Sequence, residues 1–304
     1  MPHDHNHHAH GDHHHAPTKF ARAFAIGILL NLGFVAIEAF YGWQVNSLAL
    51  LADAGHNLSD VAGLGLAWVA TLVAQRRPDR RHTYGWQRAS ILAALANALL
   101  LLVAMGSLIW EAVQRLQTPM PTEASVVIAV AAVGVVINGI TAMLFMSGQK
   151  SDMNIRGAYL HMAADALVSL GVVAAGALYL RTGWNWLDPL TSILIACVII
   201  VSTYGLFRQS LHLAFDGVPD SIDLAAVDSW LSSCPGVAEV HDLHIWGMST
   251  TGIALTAHLV MPDGHPGDEF FNVLADALYA DFGITHPTIQ IDLSAQNHGC
   301  VAPR

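Results

Sequence analysis

Between residues 20 and 207 long apolar runs alternate with short polar breaks, and after residue 216 the runs shorten to those of a water-soluble domain. Six runs have the length a helix needs to cross a bilayer, about 20 residues. They predict helices over 20–43, 48–74, 87–110, 123–146, 153–180 and 187–207. Glycine and proline punctuate the breaks at Gly42, Pro78, Pro119, Pro121, Gly148 and the stretch 183–189. In the last third the pattern predicts a helix over 222–233 and strands over 237–246 and 253–261, turned by Thr250, Thr251 and Gly252. A helix over 267–282 and a strand over 288–293 follow. The expected fold is a six-helix transmembrane bundle carrying a C-terminal α+β domain of order αββαβ. The expected domains are a His-rich tail at 1–18, a membrane domain at 19–210, a cytoplasmic domain at 211–293 and a flexible tail at 294–304.

Lys and Arg set the orientation of the spans. Lys19 and Arg22 precede the first. Arg76, Arg77, Arg80, Arg81 and Arg88 fill the second break, Lys150 and Arg156 the fourth, and Arg208 follows the last span. The opposite breaks hold Arg115 and Arg181. Both termini are therefore expected in the cytoplasm, and an even number of spans likewise puts both ends on one side, with the chain embedded in membrane lipid. Composition agrees: 54% of the 304 residues are hydrophobic and 12% charged, whereas soluble domains carry about 25% charged residues. The net charge of −10 with neutral histidines argues against nucleic acid as a partner. Cys197, Cys234 and Cys300 form no pairing pattern and read as reduced thiols.

Eight of the 18 histidines lie in residues 1–18, interleaved with Asp, Asn and Ala. That composition cannot bury a core and suits a disordered metal-collecting tail. The start is His- and Asp-rich, so no cleavable signal peptide is expected.

The second span contains His56 and Asp60, the fifth His161 and Asp165. Each pair is spaced i, i+4 and so shares one helix face. An ionisable residue inside a span costs about 2.5–3.5 kcal/mol on insertion scales, and four of matched type and spacing point to a function. Two imidazoles and two carboxylates close the tetrahedron that Zn²⁺ prefers. The lack of cysteine there disfavours Cu(I), and Mg²⁺ asks for oxygen ligands and water. Zn²⁺ is the expected cargo, with Cd²⁺ and Co²⁺ close behind. Asp53, three residues before His56, reads either as a further ligand or as a helix-start carboxylate at the positive end of the dipole. Glu38, Asn31, Asn97 and Asn138 are further polar residues within the spans, the asparagines reading as interhelical hydrogen-bonders.

At these residues the chain resembles the cation diffusion facilitator family, over nearly its whole length after the tail. The resemblance rests on SLALLADAGHNLSD at 47–60, RHTYGWQR at 81–88, GAYLHMAAD at 157–165 and VHDLHIW at 240–246. It implies a homodimeric secondary transporter that moves zinc out and protons in by alternating access, with His56, Asp60, His161 and Asp165 as transport ligands. It also implies a ferredoxin-like, metallochaperone-like cytoplasmic domain, with His241, His258 and Asp292 near the positions that bind regulatory zinc. Many members carry a second zinc site in the loop where this chain has Asp79 and His82. Here Trp86 and Ser90 stand at two of its positions, where a histidine and an acid are usual.

Three rival classes lead elsewhere. A passive channel would be clogged by histidine ligands that hold metal too long. A membrane-bound sensor gives the two intramembrane motifs no role. No His-Glu-x-x-His motif or equivalent general base supports an enzyme.

Overall fold

The computed structural model describes residues 18–118, 120–146 and 153–294. The histidine tail, Pro119, Gly148 and Lys150, and the stretch holding His298 and Cys300 lie outside the described residues. Six long helices come first: α1 (Thr18–Gln44), α2 (Leu48–Ala74), α3 (Ala89–Gln117), α4 (Ala124–Met146), α5 (Met153–Thr182) and α6 (Leu187–Ala214). Helices α2 to α6 are long and apolar enough to cross a membrane, and α1, which like α2 is 27 residues long, is the sixth of the expected set. Trp68, Leu100, Trp110, Leu167 and Val201 point outward, as the lipid-facing side of a span requires and the surface of a soluble domain would not. The chain is a multi-pass membrane protein.

Two of the helices outrun their apolar stretch. Past Trp110, α3 continues to Gln117, where Arg115 Nε donates to Glu111 at 3.0 Å and Nη1 to the Asn46 carbonyl. Such i, i+4 pairs support a helix end in a polar environment. Past Phe207, α6 continues to Ala214. Gly42 does not end α1; the chain turns instead at Asn46, whose φ is +53°.

The described chain divides into two compact units. The first ends at Val61 and resumes over Met105–Cys197. In it α4 packs along α5 and α1, closely enough at Gly134 that a Cβ would stand 2.7 Å from the Phe34 ring and 3.0 Å from Ser169 Oγ. The starts of α2 and α6 are tied together. Ser47 Oγ donates to Asp188 at 2.6 Å and the Leu48 amide at 2.9 Å, so a carboxylate from α6 satisfies the free amide end of α2. Pro189 fits the first turn of α6, where no amide is needed.

The second unit comprises Ala62–Ala104 and Val198–Arg304. Its C-terminal part folds as α7 (Leu224–Ser232), β1 (Glu239–Gly247), β2 (Ile253–Val260), α8 (Asp268–Phe282) and β3 (His286–Asp292). This is the αββαβ order that the pattern predicts. The sheet order is β1-β2-β3, with β1 antiparallel and β3 parallel to β2. Val227 and Leu231 of α7 and Leu274 and Leu278 of α8 enclose Ile245, Leu255 and Leu259 of the sheet. Asp223 caps α7, accepting from the amides of Ala225 and Ala226, and Gly283 ends α8 in the left-handed conformation.

Candidate metal site

Helices α2 and α5 each present a His and an Asp one turn apart, and within the first unit the two pairs meet. His161 Nε2 lies 3.1 Å from Asp60 Oδ2 and 3.7 Å from Asp165 Oδ2. His56 Nε2 lies 3.5 Å from Asp165 Oδ1 and 3.6 Å from Asp60 Oδ2. The rings stand nearly perpendicular, with centroids 5.7 Å apart. One ligand atom from each of the four residues falls within 4.8 Å of all the others.

Ligand atoms held about 2.0–2.2 Å from zinc at tetrahedral corners stand about 3.3–3.6 Å apart. The four His–Asp separations bracket that edge, so small rotamer shifts suffice to close the polyhedron. The site is also underused by the protein itself: His56 Nδ1 and Asp165 Oδ2 are buried without a hydrogen-bond partner. Buried polar atoms are normally paired, and a set with free lone pairs suits a ligand that comes and goes.

Asp53 stands apart from the four. It accepts from Ser169 Oγ of α5 at 3.0 Å and from Asn57 Nδ2 at 3.5 Å. Glu38 of α1 faces it, fully enclosed.

In the C-terminal domain β1 and β2 place His241 directly opposite His258, and β3 brings Asp292 alongside. Asp292 Oδ2 lies 3.1 Å from His241 Nε2 and 3.0 Å from His258 Nδ1. Hydrogen bonds from Gln290 and from His258 hold the Asp292 carboxyl below the usual carboxylate range. Asp242, which the sequence did not single out, joins the two histidines in a second three-residue group. It adopts φ +48° beside the irregularity that breaks the β1 register between His241 and His244. Adjacent strand residues normally point to opposite faces, and this break in the strand is what brings Asp242 toward its neighbour.

Asp79 and His82 meet as a pair. Asp79 Oδ1 accepts from the backbone amides of Arg81 and His82, each at 2.7 Å, and from His82 Nδ1 at 3.2 Å. Those two amides, foremost that of Arg81, hold its carboxyl below the usual range. The His82 ring lies against Trp86, with centroids 4.0 Å apart. Among the described residues no third His, Cys, Asp or Glu completes a group with them.

Comparison with known proteins agrees with both halves of the chain. Residues 24–213 match the cation efflux transmembrane domain and residues 219–294 the cation efflux protein cytoplasmic domain. A cadmium, cobalt and zinc/H⁺–K⁺ antiporter of Bacillus subtilis is 36% identical over 290 residues, 94% of this chain and 93% of that protein. The metal cation efflux system protein CzcD of Cupriavidus metallidurans is 38% identical over 285 residues, 93% of this chain and 90% of that one. The zinc transporter ZitB of Escherichia coli is 33% identical over 287 residues, 94% and 91% of the two chains. These relatives are named as transporters, not enzymes. With two family domains matched in order and relatives aligned almost end to end, the chain belongs to the cation efflux family, the cation diffusion facilitators that its motifs resemble.

Proposed function

We propose that this protein exports Zn²⁺, and with it Cd²⁺ and Co²⁺, from the cytoplasm in exchange for protons. His56, Asp60, His161 and Asp165 hold the metal in passage. The observation that carries this reading is the convergence of four nitrogen and oxygen ligand atoms from α2 and α5, within 4.8 Å of one another, on helices long enough to span a membrane. The relatives named for cadmium, cobalt and zinc support the same choice of cargo.

The chemistry of the ligands explains the exchange. Imidazole must be neutral to bind metal, so protons and Zn²⁺ compete for the same lone pairs. An ordinary imidazole titrates near pH 6.5. A site open to the cytoplasm loads metal; the same site open to a more acidic exterior takes up protons and releases it. Rocking of the helices that carry the two motifs exposes the site to one side at a time. In this reading both termini are cytoplasmic, the bacterial inner membrane is the setting and a homodimer is the working unit. His241, His258 and Asp292 form a regulatory metal site in the cytoplasmic domain, which spans 211–293 beyond the membrane domain at 19–210. Asp79 and His82 offer a weaker loop site, because two backbone amides already engage the Asp79 carboxylate.

The test is flux in reconstituted vesicles that enclose a zinc-sensitive dye, under an imposed pH gradient. Wild type is expected to move zinc with the gradient, and Asp165→Ala to fall to the rate of protein-free vesicles while remaining folded. Transport retained in Asp165→Ala would remove the site assignment. Flux indifferent to the gradient would replace exchange by a channel. The Bacillus subtilis relative's name adds potassium as a counter-ion, so the assay is repeated with a potassium gradient alone.

A further inference from the structure

Behind the four ligands lies a second polar cluster that metal binding does not use. Asp53 lies one turn before His56 and Asn57 in α2, and Ser169 one turn after Asp165 in α5. The cluster therefore extends from both ligand pairs in one direction, toward the starts of α2 and α6. Glu38 of α1 and Asn57 are 0% exposed and Asp53 1%. Both carboxylate oxygens of Glu38 and the Asn57 carbonyl oxygen lack any hydrogen-bond partner. Ser169 Oγ and Asn57 Nδ2 donate instead to Asp53. The result is a buried cluster in which the Glu38 and Asp53 carboxyl groups are neighbours and three oxygen acceptors lack a donor.

Its electrostatics are lopsided. The titratable groups facing the pair are Asp165 from α5 and His56 from α2 itself. Helix α4, which packs against α1 and α5, has no titratable residue between Ala124 and Met146. No Lys or Arg faces the pair among the described residues. Two carboxylates in contact away from water do not both stay ionised, because each charge is costly to bury and each repels the other. A single proton resolves the problem. It turns one orphaned acceptor into a donor, and the second carboxyl accepts from it, as when two carboxyls elsewhere share one proton.

We propose that Glu38 and Asp53 share one proton when the metal site is empty, and that this proton leaves when a divalent cation binds His56, Asp60, His161 and Asp165. The pair is then a counter-proton carrier distinct from the metal ligands. The idea rests on the exchange reading given above and adds a place for one of the protons. In the step, a dication arrives one turn away and its charge compensates a second carboxylate. The acid O–H bond breaks, its electron pair stays on the carboxylate, and the proton passes to water. When the metal departs, a proton from the other side restores the O–H bond.

The experiment is an infrared difference spectrum, zinc-bound minus zinc-free, on the full-length protein in lipid nanodiscs, with carboxyl ¹³C label in glutamate or aspartate. The expected result is the loss on adding zinc of a protonated-carboxyl band that shifts with the label and is missing from Glu38→Gln. In weak buffer with a pH dye, Glu38→Gln is expected to release about one proton fewer per zinc bound, with zinc still bound at the four ligands. A zinc-free wild type without the band would overturn the proposal, as would an unchanged proton count in Glu38→Gln. Should that variant fail to fold, the wild-type spectrum alone decides. The vesicle assay keeps the two ideas separate: proton-driven flux with no band sinks the pair and leaves exchange standing, whereas a zinc-sensitive band without proton-driven flux sinks exchange.

Discussion

Asp292 touches both His241 and His258 through a single oxygen, while its other oxygen accepts from Gln290 Nε2 at 3.0 Å. Because Gln290 and His258 lower its pKa, the carboxylate keeps its charge until the pH falls below the ordinary carboxylate range. Its ion-pair contribution is therefore full at neutral pH and lost only in acid. Any loss of zinc binding at this cluster in mild acid is then not expected to come from protonation of Asp292. Replacing Asp292 by Asn removes the charge and keeps the size. The expected effect is a loss of about 10–100-fold in zinc affinity, the usual cost of losing a supporting carboxylate. Calorimetry on the full-length Asp165→Ala background reads it, and an unchanged affinity would take Asp292 out of the site. Legibility in the sequence divides along the same physical line. His56 with Asp60 and His161 with Asp165 are visible because helical spacing alone sets each pair on one face. Asp242 is not, since it depends on a break in a strand, and the facing of Glu38 and Asp53 is not, since three helices must pack before they meet.

Gly134 shows how the packing of α1, α4 and α5 supports the polar groups between them. Any side chain there would press on the Phe34 ring and on Ser169 Oγ, and Ser169 is the donor that holds Asp53. Gly134→Val is expected to destabilise the protein by about 1–3 kcal/mol, the range for overpacked cores, and to slow transport as Ser169 is displaced. Gly139, five residues on in the same helix, has nothing within 4 Å of where a Cβ would stand. Gly139→Ala is therefore the control, expected to leave both unchanged. Thermal unfolding in detergent compares the two; equal midpoints would show that α4 can yield at Gly134. The helices themselves were the most legible feature, because lipid demands long apolar runs that a sequence cannot hide. Their ends were less so. Hydropathy stops at Trp110, but α3 continues to Gln117 on the strength of Glu111, Arg115 and the Asn46 carbonyl, contacts that involve another part of the chain. The strands of the C-terminal domain begin or end one or two residues from where alternation places them, as at β3, which starts at His286.

From Gln209 to Pro303 the chain has 12 Asp or Glu and no Lys or Arg, so two C-terminal domains brought together in a dimer repel each other. Salt screens that repulsion over a Debye length of about 10 Å at 0.1 M, but only a bound cation can reverse it locally. The cluster of His241, Asp242, His258 and Asp292 gathers two of those acids beside two imidazoles, so a zinc ion bound there would both neutralise charge and order three strands at once. Zinc is thus expected to shorten the distance between spin labels placed at equivalent surface positions on α8 of two copies, at concentrations that saturate the cluster. His258→Ala should abolish the shortening, since it removes a ligand but no acid, whereas raising sodium chloride in the zinc-free protein should narrow the distance distribution only in part. The geometry also fixes what a negative result means. If the separation is the same with and without zinc, the repulsion must already be overcome by contacts elsewhere in the dimer. A metal bound in the C-terminal domain would then stabilise each subunit separately and take no part in drawing the two together.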